Sequence, residues 1–433
     1  MEAVHKTDLL IIGSGLSGMS AAVFAANRNI RAVVAGGAGG FEYSSGLMDL
    51  WGRSLTEKRE ITKKPWDMLE KLLEQEPKHP LAKIKKETIQ LAFSELTAAL
   101  KKQGLTYSGH KEKNTLVMTP FGTLRPTYRM PLAMVSNSEA FRKKEPCLII
   151  DFKGLREFSA VFVKEMMKKR WKHLRAQTLE FPDTRLQKEV FTPMLARSLE
   201  TEQVQDKFLT LIRSTVKDET WIGLPAILGI YSSEKILKRL ETESGLNIFE
   251  IPTSPVSVPG IRLREALIKS LENTSVTLLQ NQRVTKVVPL PKGEFHCETG
   301  SDINPVTIHT KAILLATGRF LGGGLYADQK RIHETLLGLP VYQPENRSQW
   351  HKMNYFDLDG HRINRAGIET DDLLRPVTPD KRPVSETLFA SGTLLAHQDW
   401  IRTRCGSGLS IATGFKAIEA YLQIRQGSQG KPL

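Results

Sequence analysis

Three glycines at Gly13, Gly15 and Gly18 follow directly on the apolar run Leu9-Leu10-Ile11-Ile12. That spacing suits binding of a phosphate or pyrophosphate, and each glycine has its own task. Gly13 makes the tight turn out of a strand, and Gly15 lets a phosphate approach the backbone. Gly18 lets the next helix pack close to the sheet. The unsatisfied N–H groups at the helix start then face the anion with the positive end of the helix dipole.

A site for an adenine dinucleotide also needs a carboxylate at the end of the second strand, about twenty residues on, to hold the ribose hydroxyls. Ala35-Gly36-Gly37 stands there instead, and the next acid is Glu42. The pattern therefore supports a phosphate site without an adenosine ribose clamp. Further along, Ser44-Ser45-Gly46 reads as a loop whose hydroxyl and N–H groups meet a ligand. Residues 311–318, KAILLATG, read as a buried strand ending at Thr317-Gly318, and Gly322-Gly323-Gly324 as flexible or closely approached backbone. LFASG leads through Gly392 and Thr393 toward Gly406-Ser407-Gly408, which opens a small-residue helix. This is a second N–H-rich helix start, and such a start at each end of the chain implies that the ends meet around one extended ligand.

The elements that must position these groups follow from periodicity. Residues 9–12 and 30–34 read as strands buried on both faces, with an Ala-rich helix between them over 19–28. Residues 56–103 are helical in pattern, broken by Pro77 and Pro80, and 115–130 form strand, turn and strand. A βα unit without a phosphate loop begins at Cys147, with a helix over 158–174, and another helix covers 198–216. Residues 251–260 carry three prolines and read as a return linker.

At 433 residues the chain has room for two or three domains. Three dispersed cysteines without a CxxC exclude an iron–sulfur or zinc site by pattern and fit a reducing cytoplasm. The net charge is +14, from 61 basic and 47 acidic residues. The basic clusters are scattered and carry no RNA-binding signature, so a basic surface of solvated helix faces, with an acidic subunit as a conceivable complement, fits better than nucleic acid. The uncharged stretch 9–26 carries the glycine pattern, and the segment before it contains Glu2 and Asp8 and is not a basic n-region, which argues against a membrane helix.

Together GSGLSG, ATG and LFASG resemble the flavoprotein fold shared by succinate dehydrogenases and glycerol-3-phosphate dehydrogenases. FEYSSGLMDL, MTPFGTLRPT, PGIRLREAL, LLATGRFLGGGL, TDDLLRP and RCGSGLSIATG look more closely like the B-subunit family of anaerobic glycerol-3-phosphate dehydrogenases. The resemblance implies an α/β fold, a Rossmann-like flavin-binding domain with a large inserted α/β cap domain. The first would comprise residues 1–55, 255–330 and 376–433, and the second 56–254 and 331–375. It also implies oxidation of sn-glycerol 3-phosphate to dihydroxyacetone phosphate, with electrons sent to the quinone pool. The partners would be a catalytic, FAD-containing subunit, together with an iron–sulfur subunit that anchors the pair at the inner face of the cytoplasmic membrane.

The resemblance assigns FMN to this type of chain, and the absent carboxylate at Gly36 also fits FMN, with FAD the alternative. Gly13, Ser14, Gly15 and Gly18 would hold the flavin phosphate, and Ser44, Ser45 and Gly46 the flavin face. Thr317, Gly318, Gly392 and Thr393 would flank the ribityl chain. The N–H groups of Gly406, Ser407 and Gly408 would stabilise charge on the reduced ring. Arg125, Arg262 and Arg375 lie in the resembling segments and are the candidate phosphate contacts. No motif selects a base among His333, His351 and His397. An electron-transfer or assembly subunit that binds flavin without turning substrate over is therefore an alternative, and a flavin-dependent RNA-modifying enzyme a more distant one.

Overall fold

The structure is a computed structural model that describes residues 3–54, 60–182, 184, 188–300 and 306–429. Its contacts divide the chain into two compact units, Met1–Gly40 with Asp49–Ala99 and Leu267–Leu433, and Phe41–Met48 with Leu100–Ala266.

The first unit is built on strand β1 (Leu9–Ile12), helix α1 (Leu16–Asn27) and strands β2 (Ala32–Gly36), β3 (Val276–Gln280), β4 (Ile313–Leu315) and β5 (Leu388–Ala390). The sheet order is β3-β2-β1-β4-β5, and every pair is parallel. Strand β1 is apolar at all four positions and buried at all four, as a parallel strand covered on both faces must be. Burial of side chains of this kind contributes about 1.5–3 kcal/mol each. Helix α2 (Gly406–Gln429) packs along α1, with Phe24 edge-on to Phe415 at 5.0 Å. A second sheet joins Ala3–Thr7 in parallel to Val306–Thr310, which continues antiparallel into Phe295–Thr299 and Val284–Pro289.

The second unit has its own parallel sheet, in the order Asn247–Ile251, Trp221–Pro225, Cys147–Phe152, Leu174–Leu179. Helices Glu202–Thr215 and Ser233–Ser244 contribute Phe208, Leu209, Ile236 and Leu240 to the core on one side. Ala160–Met167 contributes Val163 and Met167 on the other.

Several elements differ from the sequence reading. The helix expected over 158–174 stops at Met167. The chain then turns so that Trp171 is buried, its indole N–H donating to Glu145 O at 2.9 Å, and Leu174 starts a strand. The helix expected over 198–216 is Glu202–Thr215, and a separate helix, Thr192–Ser198, ends where it was expected to begin. Residues 255–266, assigned by sequence to the flavin-binding domain, cluster in contacts with the second unit. Residues 60–99 and 331–375, assigned to the inserted part, cluster with the first. Polar ties account for the latter. Arg28 of α1 binds Glu95 at 2.7 Å and the Ala390 N–H of β5 donates to Leu374 O at 2.9 Å, while the Lys83 ammonium donating to Thr370 O and Arg365 pairing with Glu76 at 2.8 Å join the two segments to each other. The start of the helical stretch at 56 lies outside the described residues.

One buried group in the first unit makes stability depend on pH. His79 accepts the Leu81 N–H on Nδ1 at 3.1 Å and meets Trp51 edge-on at 5.5 Å. Burial, with the nearby charges of Arg365 and His397, lowers its pKa to about 3. The lowered pKa means that the unfolded chain takes up a proton below about pH 6.5 while the folded one does not. Stability is thus fully present above that pH and falls toward pH 3 by up to about 1.4 kcal/mol per pH unit from this group. His79→Leu should flatten the acid limb of a urea-stability profile between pH 6.5 and 4. Equal acid slopes for the two chains would refute the assignment.

Candidate functional site

The first unit gathers its glycine turns at the carboxyl ends of β1, β4 and β5. Gly13 leaves β1 with φ +117° and donates its N–H to Ala35 O of β2 at 2.8 Å. A Cβ on Gly13 would lie 2.3 Å from Ala316 O, just after β4. The turn is thus wedged between the ends of the two strands flanking β1. Gly18 is equally constrained, because a Cβ there would lie 1.8 Å from Gly13 O. Gly15 differs. It is the N-cap of α1 without a side-chain cap, and the nearest atom to a Cβ on it is Gly39 O at 3.6 Å. Protein packing therefore demands glycine at Gly13 and Gly18 but not at Gly15. Open space over an uncapped helix start, with no acid in the first turn, is what an anion requires.

The carboxylate missing from the sequence is also missing for a steric reason. A Cβ on Gly36 would lie 2.6 Å from Ser14 N and 2.8 Å from Ser14 Oγ, and that hydroxyl donates to Gly37 O. Ser14 fills the place, so no side chain fits at Gly36 without moving the phosphate turn. The phosphate end of a dinucleotide fits this backbone, but the usual ribose clamp does not.

The two ends of the chain meet here, as the paired glycine-rich helix starts implied. Ser17 Oγ of α1 lies 2.8 Å from Ser391 Oγ after β5, and Gly392 donates its N–H to Thr413 Oγ1 of α2 at 2.8 Å. A Cβ on Gly392 (φ +73°) would lie 2.8 Å from Ser17 Cβ, and one on Gly414 3.0 Å from Ser17 O. Sequence reading did not single out Ser17, Ser391 or Thr413. Their only signal was the run of small residues, which shows close approach but not its partner.

Beside them, Thr317 Oγ1 is buried without a hydrogen-bond partner among the described residues. Gly318 turns at φ +69°, and the nearest atom to a Cβ on it is Thr393 Oγ1 at 3.7 Å. The glycine run after it is a closely approached segment, since Cβ atoms on Gly322 and Gly324 would lie 2.3 Å from Thr317 O and Thr317 Oγ1. An orphaned hydroxyl at Thr317, next to a glycine turn that Thr393 approaches, suits a polyol chain. The structure brings Gly13, Ser14, Gly15, Gly18, Thr317, Gly318, Gly392 and Thr393 onto the same sheet edge.

At the start of α2, Gly406 and Gly408 are needed for packing, with Cβ positions 2.9 Å from Trp400 Cε3 and 2.9 Å from Leu50 Cα. The Gly408 N–H donates to Asp49 O at 2.7 Å, so it is not the ring donor expected from sequence. Gly406 and Ser407 keep the helix-start position.

Ser44, Ser45 and Gly46 belong to the second unit. Their hydroxyls accept locally, Ser44 Oγ from Gly46 N at 3.2 Å and Ser45 Oγ from Leu47 N at 3.4 Å. Tyr107 OH holds Gly46 O at 2.8 Å.

The arginines separate clearly. Arg262 is buried and forms a two-pronged ion pair with Glu250 at 2.5 and 2.8 Å, while its Nε donates to Gly229 O at 2.7 Å. Every nitrogen of that guanidinium has a protein acceptor, so Arg262 is a structural cation and not a phosphate contact. Arg375 is held by Asp371 at 2.7 Å and by Glu386, which corrects its assignment for the same reason. Arg125 stays half-buried on the hairpin of Thr115–Met118 and Leu124–Thr127. The histidines are also engaged. His333 meets Asp328 at 2.8 Å, and His397 meets Glu369 at 2.7 Å while burial lowers its pKa. His351 packs against His361 at 5.4 Å.

No group of three or more potential metal ligands occurs among the described residues. No described helix is long and apolar enough to cross a membrane.

The chain is 26% identical over 431 residues to the B subunit of anaerobic glycerol-3-phosphate dehydrogenase from Vibrio vulnificus (strain CMCP6), covering 97% of each chain. It is 25% identical over 456 residues to the protein of the same name from Aliivibrio fischeri (strain ATCC 700601 / ES114), covering 97% of this chain and 96% of the other. Among solved structures, 3-ketosteroid delta1-dehydrogenase from Sterolibacterium denitrificans matches at a TM-score of 0.42 and 10% identity, over 98% of this chain and 100% of that one. The family described as the FAD binding domain matches residues 8–409, a span that holds every glycine turn described above except the helix that follows the last of them. The chain belongs to the FAD binding domain family and is a flavoprotein by descent.

Proposed function

We propose that this chain is the flavin-binding subunit of a dehydrogenase complex that oxidises sn-glycerol 3-phosphate to dihydroxyacetone phosphate and passes the electrons to the quinone pool. The observation that carries this reading is the open, uncapped helix start at Gly15, set beside the unpartnered Thr317 hydroxyl. The relatives named above supply the substrate and the place in a complex. A catalytic partner that carries FAD, an iron–sulfur partner and attachment at the inner membrane face through one of them complete the reading.

The cofactor supplies hydride or electron acceptance when bound. The chain's own groups anchor the phosphate at Gly15, meet the polyol chain at Thr317 and Thr393, and place the dipole of α2 nearby. The family description favours FAD over the FMN expected from sequence. The crowded Gly36 gives an adenosine ribose no carboxylate, so FAD would be held chiefly through its pyrophosphate.

A second reading has its own support. Arg262 and Arg375 in ion pairs, and His333 and His397 on carboxylates, are already engaged and leave the binding and deprotonation of a phosphorylated alcohol to other groups or to a partner. The chain then relays electrons and takes none from substrate directly.

Acid release of the cofactor from the gently purified protein, followed by chromatography, tests the site; absence of any flavin would sink both readings. Flavin bleaching by glycerol 3-phosphate, with the chain alone and in its complex, separates them. Bleaching of the isolated chain supports the first reading, and bleaching only in the complex supports the second.

A further inference from the structure

Three segments of the first unit that are hydrogen-bonded to one another each present large apolar side chains to solvent. The loop after β4 exposes Leu321, the segment 351–361 exposes Met353, Tyr355, Phe356 and Leu358, and the helix Trp400–Thr403 exposes Ile401. Met353 and Leu321 are about as exposed as side chains can be, at 105% and 91%. Single exposed apolar residues need no explanation, but six on segments tied together do.

These loops are fastened to each other. Arg319, two residues before Leu321, donates to Asn364 O and Ile363 O at 2.5 Å each. Arg402, next to Ile401, donates to Asp357 O. The loop 351–361 is also braced internally. The Lys352 ammonium binds Asp357 at 3.0 Å and Asp359 at 2.7 Å, Asn354 accepts the Phe356 N–H at 3.0 Å, and His361 Nδ1 accepts the Lys352 N–H at 3.1 Å. Its apolar tips are thus held outward by a built scaffold, and a floppy loop would instead fold them in.

We propose that this surface docks a companion protein chain whose own surface has an apolar centre and an acidic rim. The inference rests on the complex proposed above and goes beyond it by locating the contact. Charge decides the kind of partner. Segment 346–365 carries Arg347, Lys352, Arg362 and Arg365 against Asp357 and Asp359; with Glu76, the partner of Arg365, counted as well, one positive charge remains over, which suits an acidic partner. A lipid surface fits less well. Asp357 and Asp359 flank Leu358, and inserting Phe356 and Leu358 into a bilayer would bury both carboxylates. Lys352 holds the Asp357 carboxyl below the usual range, so that group stays charged.

The test co-expresses the full chain with the other subunits of its complex and compares it with the triple variant Met353→Ser, Phe356→Ser, Leu358→Ser. All three residues are solvent-exposed, so thermal midpoint and bound flavin should be unchanged. The expected result is at least a tenfold loss of companion chains retained through a tag on this one, with wild-type retention weakening as salt rises. Full retention by a folded triple variant would overturn the surface and leave the complex standing. A wild-type chain that retains no companion would overturn the complex and this surface with it. Sedimentation with phosphatidylglycerol vesicles, lost in the triple variant, would assign the surface to lipid and overturn the proposal.

Discussion

Gly18→Ala should destabilise the chain by about 3 kcal/mol or more, whereas Gly15→Ala should leave stability within about 1 kcal/mol and lose at least tenfold in flavin affinity. The two positions belong to one motif, yet they face different neighbours. A methyl group on Gly18 would sit 1.8 Å from Gly13 O, and that carbonyl is fixed by a turn packed on Ala316. Relief requires α1 to lift off the sheet, which also disturbs the Ser17–Ser391 contact and the packing of α2. On Gly15 the same methyl reaches only Gly39 O at 3.6 Å, an ordinary contact. What it would meet is the ligand. Urea unfolding of the flavin-free chains measures the first effect, and titration with flavin followed by fluorescence quenching measures the second. If Gly15→Ala binds flavin as the parent does, the phosphate does not lie over this helix start.

That contrast also shows how far the sequence could be read. The strand–glycine–helix–strand unit was legible because its apolar run and glycine spacing are local properties of about thirty residues. The same holds for the missing carboxylate at Gly36, although its cause, Ser14 filling the space, needed coordinates. The pairing of Ser17 with Ser391 spans 374 positions, and no local pattern encodes it. The arginines misled for a related reason. A cation in a family-like segment reads the same whether its acceptor is a substrate or a distant glutamate. The hidden partner of Arg262 was Glu250, inside a strand whose other residues are apolar save one. Residues 60–99 cluster in contacts with the first unit, which periodicity could not reveal, because it tells which helix face is buried but not against which sheet.

Arg262→Met should cost about 3–5 kcal/mol of stability, because it leaves the Glu250 carboxylate buried without its cation. Both side chains are essentially inaccessible, at 1% and 0%, so water cannot replace the lost partner. The Leu228 N–H at 2.7 Å still binds Glu250, but one neutral donor does not offset a desolvated charge, and Gly229 O loses its donor as well. The double variant Arg262→Met, Glu250→Leu should recover part of that loss despite removing a second polar group. It restores neutrality, and leaves only the Leu228 N–H and Gly229 O unsatisfied. A phosphate contact would behave in the opposite way. Its removal would spare the melting temperature, raise the KM for glycerol 3-phosphate in the assembled complex, and gain nothing from the second substitution. Thermal melting of the two variants, set against their KM values, therefore distinguishes an arginine that holds the second unit together from one that holds a substrate. An unshifted melting temperature for Arg262→Met would remove the structural assignment.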